Sequence, residues 1–141
     1  MQRVTEARVA INGATVASIG PGLLALIGVR PEDDRSAAVR LLDRLLKYRV
    51  FADADGKMNL SLTQVAGGLL LVPQFTLAAD TRKGSRPGFS TAAAPEVGRP
   101  LFEFLVSCAR QQHGSVDCGV FGANMQVSLV NDGPVTIWLE S

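Results

Sequence analysis

The 141-residue sequence holds one histidine, two cysteines, one tryptophan and one tyrosine. A lone histidine, His113, removes the base that a Ser-His-Asp triad needs and leaves too few ligands for a zinc centre. Cys108 and Cys118 stand in no CxxC or other metal-like spacing, so reduced thiols in a cytoplasmic protein are expected. No apolar run approaches the ~18 residues that suggest a membrane span. No basic segment with an apolar core opens the chain, so no signal peptide is expected. Walker A and dinucleotide fingerprints are absent, because the glycines of Gly20-Pro21-Gly22 bracket a strand and do not lead into a helix. No pair of carboxylates sits in an apolar context that would raise one pKa. With 14 Lys and Arg against 13 Asp and Glu, the net charge of +1 excludes a uniformly basic nucleic-acid coat and leaves room only for a local patch.

Hydrophobic residues make up 47% of the chain, enough for one globular domain over residues 1–141 with its own core. Residues 3–11 and 14–19 read as two strands joined at Asn12-Gly13, because both central positions of a type I′ turn need positive φ. Leu23 to Val29 is a continuous apolar run, short enough for a strand buried on both faces. Asp33 or Asp34 can cap a helix whose buried side is Ala38, Leu41, Leu42, Leu45 and Leu46. "DADG" at 53–56 suggests a calcium loop, but the spacing of ligands fails and a hairpin turn is expected. "LLLVPQFTL" reads as a buried strand interrupted at Pro73 and Gln74, which places the proline at an edge or bulge and the glutamine among partners. Residues 81–100 read as a long loop. A second helix begins at Pro95 or Pro100, carries Phe102, Leu105, Val106 and Ala109 on its buried side and can end at Gly114. The tail returns to strands, so the whole reads as α+β, a compact and mostly antiparallel sheet or barrel with two helices.

Three features carry candidate chemistry. Arg82, Lys83 and Arg86 place three cations within five residues on a segment without apolar anchors. Their plain reading is a solvated loop and their functional reading is a phosphate patch. Asp80 beside them caps the loop or pairs with Arg82. The remaining feature is the pair of breaks in otherwise regular strands, at Pro73-Gln74 and in "NDGPVT", where a hairpin at 131–134 is the simplest outcome. Breaks of this kind also let a backbone turn its N–H and C=O groups toward a ligand.

The chain resembles the D-aminoacyl-tRNA deacylases almost end to end. The likeness runs through "QRVTEARV", "IGPGLLALIGV", "YRVFADADGKMNLSL", "QFTLAADTRKGSRPGFS" and "FGANMQVSLVNDGPVT". Two family signatures match, one at Gln74, Phe75, Thr76 and Leu77 and the other at Asn131, Gly133, Pro134 and Thr136. The resemblance implies a homodimer that needs no cofactor or metal and contacts neither membrane nor DNA. It implies hydrolysis of the ester between a D-amino acid, or glycine mischarged onto tRNA(Ala), and the tRNA 3′ end. The active sites would lie at the dimer interface. By match, Gln74, Phe75 and Thr76 form the catalytic strand. Gly133 and Pro134, joined in cis, reject L side chains from the other subunit's pocket. Met125 and Ala123 line that pocket, and Arg3 steadies the pair. The terminal 2′-hydroxyl of the tRNA assists the reaction, and Thr76 positions the ester, since no base is available to activate it. Two residues depart from the family pattern. Pro73 replaces a serine and brings neither hydroxyl nor N–H, which allows a shifted substrate range or an RNA-end binding module with little turnover. Asn124 replaces an aspartate.

Overall fold

The computed structural model describes residues Met1–Ser141. Two apolar runs form its centre. β3 (Gly22–Ile27) and β6 (Gly68–Pro73) pair in parallel, from Gly22 opposite Gly68 to Ile27 opposite Pro73. All their leucines except Leu26 are fully buried. Alternate residues point to opposite faces, so one set joins one core and the next joins another. Leu23, Ala25, Leu69 and Leu71 pack beneath the helices, whereas Leu24, Leu70 and Val72 pack with Val4, Ala7 and Val9 on the far side. A strand covered on both faces has no reason to alternate polar with apolar, which is why these runs are continuous. Each fully buried leucine contributes about 1.5–3 kcal/mol.

β1 (Gln2–Ile11) bends past this centre. Its first residues pair antiparallel with β3, and its second half pairs with β2 (Ala14–Ile19). Asn12 and Gly13 make the tight turn between β1 and β2, with φ of 50° and 81°. Along its other edge β1 pairs with β8 (Gln126–Thr136). β7 (Val116–Cys118) extends the sheet in parallel beyond β6. The Ser18 N–H donates to Asp117 Oδ2 at 2.9 Å, drawing β2 toward β7 and nearly closing a barrel. Antiparallel pairings predominate, as expected, around a parallel centre.

α1 (Arg35–Lys47) is capped by Asp34, whose carboxylate accepts from the Ala37 N–H at 2.8 Å. Asp33 instead accepts from the Arg30 N–H. Asp43 and Lys47 form the expected i,i+4 pair. α3 (Pro95–Gln112) starts with Pro95 in its first turn and buries Phe102, Leu105, Val106 and Ala109. Pro100 lies inside it, so the segment read as loop to residue 100 is helical from residue 95. His113 ends the helix as its C-cap, and its Nε2 lies 2.6 Å from the Gly67 carbonyl, which settles that side chain as structural. A short third helix, α2 (Leu62–Val65), was not anticipated; Ser61 and Gln64 hold its start as a reciprocal capping box. β4 (Arg49–Ala52) and β5 (Met58–Ser61) make a separate hairpin around Gly56, as the Asp-Gly turn implied. No helix is long and apolar enough to cross a membrane.

The parallel register at the centre depends on a close backbone approach. A Cβ added at Gly22 would lie 2.6 Å from the Gly68 nitrogen and closer still to its carbonyl oxygen, whereas one added at Gly20 would meet nothing within 4 Å. Gly22→Ala is therefore expected to lose about 3 kcal/mol or more of stability, while Gly20→Ala stays within about 0.5 kcal/mol of the parent. Urea midpoints of the two variants check this, and equal midpoints contradict it.

Candidate active site

The first break in the sequence ends a strand. β6 stops at Pro73, and the Gln74 N–H makes the last bond to this edge, donating to the Ile27 carbonyl at 2.7 Å. The Leu71 carbonyl on the other edge accepts from Gly119 N–H. Pro73 shares that edge, and β7 has already ended at Cys118. The proline's missing N–H therefore costs the sheet nothing. With no partner strand left on either side, Phe75–Ala78 winds into a 3-10 turn, closed by Leu77 N–H to Gln74 O and Ala79 N–H to Thr76 O. The expected Gln-Phe-Thr strand is thus corrected to a tight turn. Gln74 is half-buried rather than buried. Its side-chain amide donates to Thr76 Oγ1. The N–H groups of Phe75 and Thr76 open this turn and have no protein acceptor.

Around this turn the chain gathers several other expected residues. Gly119 bridges them, since a Cβ placed there would lie 3.4 Å from Pro73 Cδ and 2.8 Å from Met125 Sδ. The Met125 sulfur accepts from the Val120 N–H, and Ala123 N–H donates to Val120 O, so residues 119–125 fold back on themselves beside the end of β6. Phe75 stays 54% exposed although it is aromatic, and its ring lies 5.0 Å from that of Phe89, which is 42% exposed. Two exposed aromatic rings in contact, tilted by 56°, make an apolar patch beside the turn. Phe89 was missed by the sequence reading, because a lone Phe in a Gly- and Pro-rich loop gives no periodic signal.

The basic loop is better organised than its composition suggests. Asp80 and Gly88 close it with a pair of backbone bonds. Asp80 grips Arg82 through two side-chain bonds of 2.8 and 2.7 Å and also accepts the Arg82 N–H. These bonds hold the Asp80 carboxyl down at about 2 and raise the Arg82 guanidinium. Lys83 and Arg86 form no ion pair.

The second break is neither a hairpin nor the end of a strand. β8 pairs with β1 on both sides of it, Gln2 opposite Thr136 and Val4 opposite Asn131. Two residue steps on β1 therefore face five on β8, and Asp132, Gly133, Pro134 and Val135 bulge out of the ladder. The Gly133-Pro134 bond is cis, and Gly133 has φ of +139°. The base of the bulge is held from both sides. Asn131 Oδ1 accepts from Val135 N–H at 2.6 Å while its amide donates to Thr136 Oγ1 at 2.9 Å. Arg3 donates through Nε to Asp132 O at 2.9 Å and through Nη1 to Val50 O at 2.5 Å. Gly133 and Pro134 themselves are exposed. Arg3 pairs with Leu23 near the start of β3, whereas Gln74 lies beyond Ile27 at its other end. One chain therefore does not bring Gly133-Pro134 to its own Gln74-Phe75-Thr76 turn.

An apolar cavity lies elsewhere. It measures about 460 Å³ and lies among α1, α3, β3 and the C-terminal residues, walled by Leu41, Leu105, Trp138 and Leu139. Its polar rim is the Arg30–Glu140 pair, which together with the Trp138 indole holds the Glu140 carboxyl low. It touches the 3-10 turn only through Leu77 and Ala78 and holds neither histidine nor cysteine, so the exposed turn, not this hollow, is the candidate site.

A family model for D-Tyr-tRNA(Tyr) deacylase matches residues 1–140. The chain belongs to this family. A D-aminoacyl-tRNA deacylase of Azotobacter vinelandii is 62% identical over 141 residues, covering 100% of this chain and 97% of its own. One of Thioalkalivibrio sulfidiphilus is 62% identical over 140 residues, covering 99% and 94%. Among solved structures, one titled c-Myc DNA Unwinding Element Binding Protein superposes with a TM-score of 0.95 at 36% identity, over 99% of this chain and 95% of that one. A probable eukaryotic D-amino acid tRNA deacylase superposes with a TM-score of 0.81 at 18% identity, over 94% and 92%, and supports the fold alone.

The Asp80–Arg82 grip of this family member has a measurable signature. A carboxyl lowered in the folded state stabilises its contacts above the ordinary value of 3.8 and releases them as pH falls through about 2. A carbon-13 titration of Asp80 is expected to show its midpoint near the lower value; a midpoint at the ordinary one means that the grip does not form.

Proposed function

We propose that the protein hydrolyses the ester between a D-amino acid and the 3′-terminal adenosine of tRNA. Two copies pair so that Gly133-Pro134 of each enters the pocket beside the other's Gln74, Phe75 and Thr76. Family membership supports the ester and the RNA. The observation that carries the rest is the bulge at 132–135, fixed at its base by Arg3 and Asn131 and exposed at its tip. A backbone held so firmly and left bare is suited to meet a ligand, and its own chain supplies none of the turn it would complete.

Chirality then follows from shape. Backbone carbonyls of Gly133 and Pro134 face the substrate Cα and amino group and leave no volume for an L side chain. Glycine has no side chain to exclude, so glycine on tRNA(Ala) is accepted as well. Met125 and Ala123 wall the pocket, and Lys83 and Arg86 lie free to meet phosphates while Arg82 holds the loop through Asp80.

The chemistry asks little of the protein's side chains. Thr76 has no carboxylate or imidazole partner and accepts from Gln74, so it positions the ester and is not activated as a nucleophile. The open N–H groups of Phe75 and Thr76 stabilise the developing oxyanion, a contribution of about 3–4 kcal/mol where such a donor is well placed. The terminal 2′-hydroxyl of the tRNA assists attack. Pro73 fits this scheme, because its edge of the strand needs no donor. No metal is required, and the reaction takes place in the cytoplasm.

D-tyrosyl-tRNA is expected to be deacylated while L-tyrosyl-tRNA is spared, and equal cleavage of both overturns the reading. A tRNA ending in 2′-deoxyadenosine is expected to react far more slowly; an unchanged rate excludes the RNA-assisted step. A Cβ at Gly133 would lie 2.8 Å from Val135 Cγ2 and 3.1 Å from Arg3 Nη2. Gly133→Ala therefore shifts the tip, and a displacement of about 1 Å lowers D-specific turnover on the order of 100-fold. Single-turnover kinetics on a variant with an unaltered melting curve check this.

A further inference from the structure

A second groove opens from the far side of the candidate site. It measures about 530 Å³ and runs between α3 and residues 118–121. Gly119 belongs both to its wall and to the junction with Pro73 and Met125, so one wall of the groove abuts the end of β6, where the 3-10 turn begins. Its α3 wall carries Arg99 and Arg110. Eleven residues apart, they stand on one face of the helix about 16 Å from each other along its axis.

These two arginines are free of carboxylates, as most arginines of the chain are, and what sets them apart is how they are held. Arg3, Arg30 and Arg82 each pair with a carboxylate, whereas Arg99 and Arg110 form no ion pair, not even with Glu103, which lines the same groove. Both are nevertheless held in place. The Arg99 guanidinium stacks over the Phe121 ring at 5.0 Å, and Phe121 in turn packs on Phe102. Arg110 Nη2 donates to Cys118 Sγ at 3.6 Å. A guanidinium anchored by an aromatic face and a sulfur keeps its charge and most of its N–H donors unspent. Preorganised forks of this type suit phosphate oxygens.

The geometry points to this groove as a second phosphate-binding tract, in which Arg99 and Arg110 contact the RNA backbone leading to the esterified 3′ end. The inference rests on the deacylase reading for the identity of the RNA. Lys83 and Arg86 then hold one side of the entering strand and α3 the other. The groove's net charge of +1 from Arg99, Arg110 and Glu103 gives modest attraction, which suits an enzyme that must release every tRNA after turnover.

The test is binding, so that it stands apart from hydrolysis. An uncharged acceptor-stem minihelix with its single-stranded 3′ end is titrated against the full chain and against Arg99→Gln, Arg110→Gln and the double variant over a range of salt. The double variant is expected to bind on the order of tenfold more weakly. Its plot of log affinity against log salt is expected to flatten by about 0.7 for each phosphate that the protein no longer neutralises. Arg99→Lys and Arg110→Lys keep the charge but not the fork and are expected to recover part of the affinity and the salt slope, whereas weakening through disturbed Phe121 packing is not recovered. Arg40→Gln on α1, whose guanidinium bonds to Ser36, serves as the remote control. Affinity within twofold of the parent with an unchanged salt slope, no recovery by lysine, or an equal weakening in Arg40→Gln each overturns the tract. None of these results touches the D/L selectivity that tests the deacylase reading.

Discussion

The parallel contact between β3 and β6 sets the position of everything else. Gly22 and Gly68 meet where a Cβ on Gly22 would collide with the Gly68 backbone and one on Gly68 with the Ile19 side chain, and that contact fixes the register of the central pair. Register then decides which leucines face the helices and which face the inner strands, because a slip of one residue would exchange the two sets. It also decides where β6 ends. Pro73 comes opposite Ile27 at the last rung, and the chain beyond it has no neighbour left. The 3-10 turn with its two open N–H groups is thus a consequence of strand length at the centre of the sheet.

A second constraint works at the opposite end of β3. Arg3 holds Asp132 and Val50 together, joining β1, β4 and the bulge of β8 through one guanidinium. Its side chain is only 15% exposed and lies 3.7 Å from the Asp132 carboxylate, so the charge is partly compensated while its strong bonds go to backbone carbonyls. Asn131 closes the same bulge from the other side with bonds in both directions. Excursions from a strand are normally soft. This one is braced by a side chain before it and a side chain from another strand, which lets an exposed backbone serve as a rigid surface.

Much of this was legible in the sequence where the signal is local. Asn12-Gly13 announced a hairpin because its φ values demand those residues, and α1 and α3 announced themselves by a leucine and phenylalanine spacing that survives any tertiary context. The continuous apolar runs gave buried strands but not their direction, since a strand covered on both faces looks the same whether its neighbour runs with it or against it. Gln74 to Leu77 read as strand because apolar content continued past Pro73. Only the absence of a neighbour, a long-range fact, turned it into a 3-10 turn. At Asn131–Thr136 local chemistry favoured a hairpin, and the answer depended on β1 pairing with both flanks of the break, again a relation between distant residues. Phe89 and Arg99 were invisible for the same reason. Each acquires meaning only from the ring beside it, Phe75 or Phe121.

The two breaks also explain why the sequence offers so little conventional catalytic chemistry. The sole histidine caps α3, the best-placed carboxylate is committed to Arg82, and neither cysteine lies at the turn. What the fold exposes instead is backbone, with open N–H donors at the first break and the exposed Gly133-Pro134 segment at the second. Donors and acceptors of the main chain cannot be titrated away, do not select among side chains by charge and are placed by the sheet to which they belong. Under the proposed function, an enzyme that must tell mirror images apart gains from this, because a braced backbone excludes by shape alone and is indifferent to which D side chain points away from it. On that reading, activation of the nucleophile comes from the substrate. For an aminoacyl ester on ribose the neighbouring hydroxyl is already in reach, so the proposed mechanism makes the lack of a protein base and the RNA-borne ester two sides of one arrangement.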